Sequence, residues 1–163
     1  LLRFSYNIKN GITMTKSAAT ILDFLGSDHR ACDELFESVK ADVTKKSWAG
    51  ARRQFGRFLE AMLCHLAREE KVLFPAFEAH TANSMGPTRV MRMEHDRMRR
   101  LMHDMALTVT DADHCRYLCL SETLDMLMRQ HNLKEEDLLF PMFDQMLGDE
   151  RDDLIGAMEA IAS

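Results

Sequence analysis

Glycine and proline are scarce in this 163-residue chain, at 7 and 3 residues. Few breakers, with abundant Leu, Met, Ala, Glu and Arg, favour an all-helical domain. Cysteine is sparse too. Cys32, Cys64, Cys115 and Cys119 form no CxxC motif. That is too few for a secreted disulfide scaffold, so reduced thiols in a cytoplasm are expected. No apolar run approaches the roughly 18 residues that a membrane span requires. Leu1 to Thr13 holds no continuous apolar stretch, so no signal peptide is expected. Positive charge is not in excess: 21 Lys and Arg face 26 Asp and Glu, for a net charge of -5. A mildly acidic chain is a poor candidate for nucleic-acid or anionic-membrane binding.

What is present suits a globular protein. Apolar residues make up 46% and charged residues 29%. The length can bury one core without staples. Met14-Thr-Lys-Ser reads as a natural start, so residues 1–16 are expected to be a flexible extension and 17–163 a single domain. Helical periodicity predicts helices over 17–42, 47–80 and 88–108, and a fourth capped near Asp111 and Asp113 that runs to about 147. Residues 83–87 read as a break, with Pro87 suited to a helix start. Gly148 suits a helix stop, and 149–162 a short fifth helix. No strand pattern competes.

The chain repeats itself. Residues 60–77 laid over 126–143 are identical at 8 of 18 positions, at an offset of 66. The identities include His65/His131, Glu69/Glu135, Glu70/Glu136 and the Leu-Phe-Pro runs 73–75 and 139–141. The same offset lays His29 over His95. Each half, about 18–82 and 84–148, is therefore a helix with a His, a loop, and a helix with His-x-x-x-Glu. Two such hairpins make an up-down four-helix bundle with a two-fold pseudo-repeat, plus the short C-terminal helix.

His65 and Glu69, like His131 and Glu135, are four apart and share one helical face. That face also carries Phe58, Met62 and Leu73, or Leu124, Met128 and Leu139, so the polar residues point inward. A buried carboxylate without a partner costs several kcal/mol. Four imidazoles and two carboxylates converging at one depth are best explained by metal. The expected ligands are His29, His65, Glu69, His95, His131 and Glu135. Nitrogen and carboxylate donors without thiolate suit Fe, with Mn or Zn as substitutes. The duplicated halves supply two equivalent sets, so two ions are expected. Even with both glutamates bridging, the protein fills about 8 of about 12 octahedral positions. Oxo, hydroxo, water or an exogenous ligand must supply the rest. A ferritin-like site is disfavoured, because it needs Glu three residues before a ligand histidine. Among residues so placed before the seven histidines, only Asp111 is acidic.

These residues resemble the hemerythrin-like family, the HHE cation-binding domain. The resemblance is carried by Asp28-His29-Arg30, His65-x-x-x-Glu69-Glu70 with Leu73-Phe74-Pro75, Glu94-His95-Asp96, and His131-x-x-x-Glu135-Glu136 with Leu139-Phe140-Pro141. It implies a bundle with a non-haem di-iron centre, bridged by Glu69 and Glu135. Oxygen-carrying members have a fifth histidine, one turn from another on the third helix. The positions one turn from His95 are Met91 and Arg99, so reversible O2 storage is not implied. The four-His, two-Glu set looks more like the iron–sulfur-repair and iron- or oxygen-sensing branches. The Cys-bearing N-terminal segment of the repair proteins has no counterpart in this sequence.

Other residues read more plainly. Asp33, one turn after His29, is an extra ligand or an outer partner. Glu70, Glu94 and Glu136 read as solvated surface or ion pairs. His103 is two turns from His95, too far for the same ion at about 1.5 Å rise per residue. His80 and His114 sit near helix ends. Pro75 and Pro141 should bend the second and fourth helices, packed by Phe74, Phe77, Phe140 and Phe143. Cys115 and Cys119 read as buried apolar packing. Six methionines from Met85 to Met105 read as core, or as a docking surface where exposed.

The expected function is to bind or sense O2, peroxide or nitric oxide, or to handle iron. No nucleophile triad, phosphate loop or organic-cofactor motif is present, so binding is expected ahead of catalysis. The alternatives are a di-iron oxidoreductase or cluster-repair protein, and a metal-stabilised interaction module. Expected partners are a small diatomic or peroxide ligand and a protein partner or a homodimer; neither nucleic acid nor membrane is expected.

Overall fold

The structure, a computed structural model, describes residues 19–81 and 86–161. The expected N-terminal extension, most of the break at 83–85 and residues 162–163 lie outside the described residues. Helix α1 (Ile21–Thr44) starts later than periodicity suggests, because Thr20 caps it. The Thr20 hydroxyl accepts from the Asp23 N–H at 2.9 Å, and the Asp23 carboxylate accepts from the Thr20 N–H at 3.1 Å. This reciprocal capping box fixes the helix start.

After a tight connection comes α2 (Trp48–Arg68), followed without a break by a π-helical turn (Glu69–Leu73) and α3 (Phe74–Thr81). The second half repeats the plan: α4 (Pro87–Asp111), α5 (His114–Lys134), a π-helical turn (Glu135–Leu139) and α6 (Phe140–Met146). Asp113 caps α5 by accepting from the Arg116 N–H at 3.0 Å. Helix α7 (Arg151–Glu159) ends the described chain. Among the described residues there is no strand, and no helix is long and apolar enough to cross a membrane.

The expected proline bends take the form of π-turns. A proline lacks an N–H, and its ring collides with the carbonyl four residues back in a regular helix. Here the Phe74 N–H reaches the Glu69 carbonyl and the Phe140 N–H the Glu135 carbonyl, five residues back. The extra residue in each turn makes room for Pro75 and Pro141. Phe74, Phe77, Phe140 and Phe143 are buried together, as expected.

Helix α1 lies against α2, α2 against α4, α4 against α5, and α5 against α1. Short connections make sequential neighbours antiparallel, so the ring closes as an up-down four-helix bundle. Its interior has two apolar clusters. One holds Phe36, Val39, Phe58, Met102, Tyr117 and Leu124. The other holds Leu25, Leu73, Phe74, Phe140, Phe143 and Met158, the last from α7. Along α1 the order is Leu25, His29, Phe36; along α4 it is Met91, His95, Met98. A polar layer thus separates the clusters.

Four of the third-helix methionines, Met91, Met98, Met102 and Met105, are core. Met93 is 62% exposed, and Met85 lies outside the described residues. The expectation for Cys115 and Cys119 is overturned. Both are exposed free thiols, because α5 turns Tyr117, Ser121 and Leu124 inward and leaves them on its outer face. Cys32 and Cys64 are the buried pair, also free.

The halves are stitched at the far end of the bundle. The Asp144 carboxylate on α6 accepts from the N–H groups of Ile21 and Leu22 at 2.8 and 3.2 Å, adding a long-range cap to α1. Losing such a cap costs about 1 kcal/mol. Asp144→Ala should lower the unfolding free energy by about that amount in urea titration; an unchanged midpoint would show the cap to be idle.

Candidate metal centre

The six expected ligand residues meet in the polar layer. His29 comes from α1, His65 from α2, His95 from α4 and His131 from α5. Glu69 and Glu135 are the first residues of the two π-turns. None of the six is more than 3% exposed. They form two overlapping groups, His29/His65/Glu69/Glu135 and Glu69/His95/His131/Glu135, and within each the facing donor atoms lie within 4.8 Å of one another. Each carboxylate reaches both halves of the chain. Glu135 lies 3.2 Å from His29 Nε2 and 3.1 Å from His131 Nε2. Glu69 lies 3.1 Å from His95 Nε2 and 3.8 Å from His65 Nε2.

The outward nitrogens are held by a second ring of carboxylates. Glu136 lies 2.7 Å from His29 Nδ1, Glu70 2.8 Å from His95 Nδ1, and Glu94 2.9 Å from His131 Nδ1. A carboxylate accepts, so each of these Nδ1 atoms donates. In neutral imidazole that leaves the Nε2 lone pair facing inward. Yet His29 Nε2 lies 3.1 Å from His65 Nε2, and His95 Nε2 lies 3.2 Å from His131 Nε2. Lone pairs that face each other at such distances repel unless something positive sits between them. All four oxygens of Glu69 and Glu135 are buried with no hydrogen-bond donor. An uncompensated buried carboxylate costs several kcal/mol. The donor set and its unmet charge therefore fit cations, and a hard nitrogen–oxygen set without sulfur fits iron.

Glu70, Glu94 and Glu136, expected as solvated surface or ion pairs, do form ion pairs, with Arg99, Lys134 and His29; their part in aiming the imidazoles was not foreseen. A usable signal lay in the repeat: Asp28/Glu94 precede His29/His95, and Glu70/Glu136 follow Glu69/Glu135, at the same offset of 66. The repeat also explains the paired Leu-Phe-Pro runs. Phe140 stacks on His29 at 5.6 Å between ring centres, and Phe74 on His95 at 5.7 Å. The π-turn opens each helix beside its glutamate and delivers the phenylalanine over the partner half's imidazole.

Other candidates lie elsewhere. Asp33 is exposed and belongs to neither group. His80 and His103 are exposed, and His114 opens α5 at partial exposure. Met91 fills the position one turn before His95 with buried apolar packing.

Burial alone would push His29, His95 and His131 toward neutrality, but the carboxylates win. Glu135 raises His29, Glu69 and Glu70 raise His95, and Glu135 with Glu94 carries His131 up to about 10. Glu135 is held well below the usual carboxylate range against its own burial, by His131 and His29. In the metal-free chain, protons thus do the work of cations. The histidine contribution to stability is complete below the ordinary value of 6.5 and is lost as pH rises toward about 10. The Glu135 contribution is present above 4.5 and is lost as pH falls. Metal displaces those protons, so its effect should grow with pH. The unfolding temperature of the metal-stripped chain should fall between pH 6.5 and 9, and its gap to the metal-loaded chain should widen. A gap independent of pH would contradict this electrostatic account.

Comparison with known proteins agrees with the site. A family profile described as "Hemerythrin HHE cation binding domain" matches residues 20–143. The chain is 28% identical over 121 residues to the iron–sulfur cluster repair protein YtfE of Enterobacter sp. (strain 638). That alignment covers 66% of this chain and 54% of YtfE, so the chain spans about half the length of this curated relative. The comparison with solved structures gives no significant match.

Proposed function

We propose that this chain, which belongs to the hemerythrin HHE cation-binding family, is a non-haem di-iron protein that binds or senses O2, peroxide or nitric oxide, or handles iron. His29 and His65 would hold one ion, His95 and His131 the other, and Glu69 and Glu135 would serve both. The observation that carries this reading is the pair of fully buried carboxylates without donors, each facing an imidazole from each half of the chain. When bound, such an iron pair supplies redox chemistry and free coordination positions for a small ligand.

The chain's own residues do the rest. Glu136, Glu70 and Glu94 accept from Nδ1 and aim the Nε2 lone pairs inward. Phe74 and Phe140 cover the imidazoles, and the two apolar clusters keep bulk water from the carboxylates. Met91 and Arg99, the positions one turn from His95, offer no fifth histidine of the kind oxygen carriers of this family have, which favours a reactive or sensing role over O2 storage. Four free cysteines fit a cytoplasmic setting.

A second reading, an iron–sulfur repair or di-iron oxidoreductase activity, is favoured by the name of the relative alone. The two are separated by mixing the anaerobic ferrous protein with O2 and recording its spectrum. An adduct that reverses under argon supports binding or sensing; irreversible oxidation with peroxide consumption supports turnover. Glu69→Ala and Glu135→Ala should each lower metal content well below two ions per chain by elemental analysis. Full iron in both variants would remove these residues as shared ligands.

A further inference from the structure

We propose that the two cation positions are unequal, and that the ion between His29 and His65 exchanges with solvent through the α1–α5 seam, past Asp33 and Glu136, while the ion between His95 and His131 is sealed in. This rests on the two-ion reading above. It is carried by two places where the halves break the repeat.

The first is the outer support. In the second half both outward nitrogens are held: His95 Nδ1 by Glu70 at 2.8 Å and His131 Nδ1 by Glu94 at 2.9 Å. In the first half, His29 Nδ1 has Glu136 at 2.7 Å, but the nearest carboxylate to His65 Nδ1, Asp28, is 3.6 Å away. His65 Nδ1 is buried without a hydrogen-bond partner. The Asp28 carboxylate instead accepts from Arg68 at 2.6 and 2.8 Å. Outer partners typically contribute 10–100-fold to metal affinity, so His65 is the least supported of the four.

The second is access. Both oxygens of Glu70 are clamped by the Arg99 guanidinium, at 2.9 and 2.8 Å. The repeat position of Arg99 is Asp33 and that of Glu70 is Glu136. Glu136 therefore has no guanidinium clamp of the kind that holds Glu70, and its side chain is 39% exposed. Above it a depression of about 330 Å³ opens between α1 and α5, lined by Arg30, Asp33, Arg129, Asn132 and Glu136, with His29 among its walls. Arg129 leans the other way, onto Asp125 at 3.0 Å. At the equivalent position of Asn132 stands the fully buried Leu66. A hydrated divalent cation thus meets a part-exposed glutamate with no guanidinium clamp on the His29 side, where Arg30 and Arg129 balance the charge of Asp33 and Glu136 at the mouth, and a closed arginine–glutamate clamp on the His95 side.

The test is release kinetics from the full chain. The protein is loaded anaerobically with ferrous iron to two ions, then mixed with excess ferrozine while the coloured ferrous complex is followed. Wild type should release iron in two phases of equal amplitude, separated by about tenfold or more in rate. Asp33→Arg, an exposed change that installs the residue of the other half, should slow the fast phase about tenfold and leave the slow phase unchanged. Arg99→Gln should accelerate the slow phase. Release of both ions in one phase, or a fast phase indifferent to Asp33→Arg, would overturn the inequality. Uptake of fewer than two ions before chelator is added would instead overturn the two-ion reading itself.

Discussion

Two carboxylates buried with no donor to answer them are the constraint around which the bundle is arranged. Glu69 and Glu135 are wholly enclosed, and all their oxygens lack hydrogen-bond donors. Apolar packing above and below cannot offset that cost, because dispersion does not neutralise charge. Four imidazoles turned inward, three of them by outer carboxylates, make sense as one device for holding positive charge at the bundle's centre. With protons in that role the chain titrates with pH. Metal in their place would remove that sensitivity.

The fold was legible because its determinants are local and periodic. Helical stripes placed the four long helices, and the offset of 66 placed the six expected ligand residues at one depth. The internal duplication also made the family resemblance specific, and the match over residues 20–143 agrees with it. What escaped were features that depend on partners distant in sequence. Glu136 supports His29 across 107 residues and Glu70 supports His95 across 25. Single-helix reading leaves both as solvated or ion-paired groups and cannot name the imidazole each one holds. Cys115 and Cys119 were misplaced because their spacing fits either face of α5, and Tyr117 and Leu124 decide which one is buried. The π-turns were missed because a proline inside a helical pattern signals disruption without saying what form it takes. The start of α1 is set by Thr20, whose reciprocal capping box with Asp23 was not read from the sequence.

Duplication gives two similar halves, and the departures from symmetry give them different work. Arg68 and Lys134 are equivalents, each gripping the acid that precedes an inward histidine, Asp28 before His29 and Glu94 before His95. Arg68 also donates to the Met158 carbonyl, so α7 is tied to one half only. Asp33 and Arg99 are equivalents of opposite charge, and that reversal leaves one outer glutamate open and the other clamped. A symmetric scaffold with asymmetric supports can keep one ion as a fixed structural element and offer the other to solvent.

The central claim is that positive charge from metal, two ions per chain, satisfies the buried carboxylates. Anaerobic titration of the metal-stripped protein with ferrous iron, followed by calorimetry at neutral pH, tests it most directly. A saturation point at two equivalents, with protons released as the imidazoles give up their charge, is the expected result. Saturation at one equivalent, or no uptake by a chain that remains folded, would contradict it.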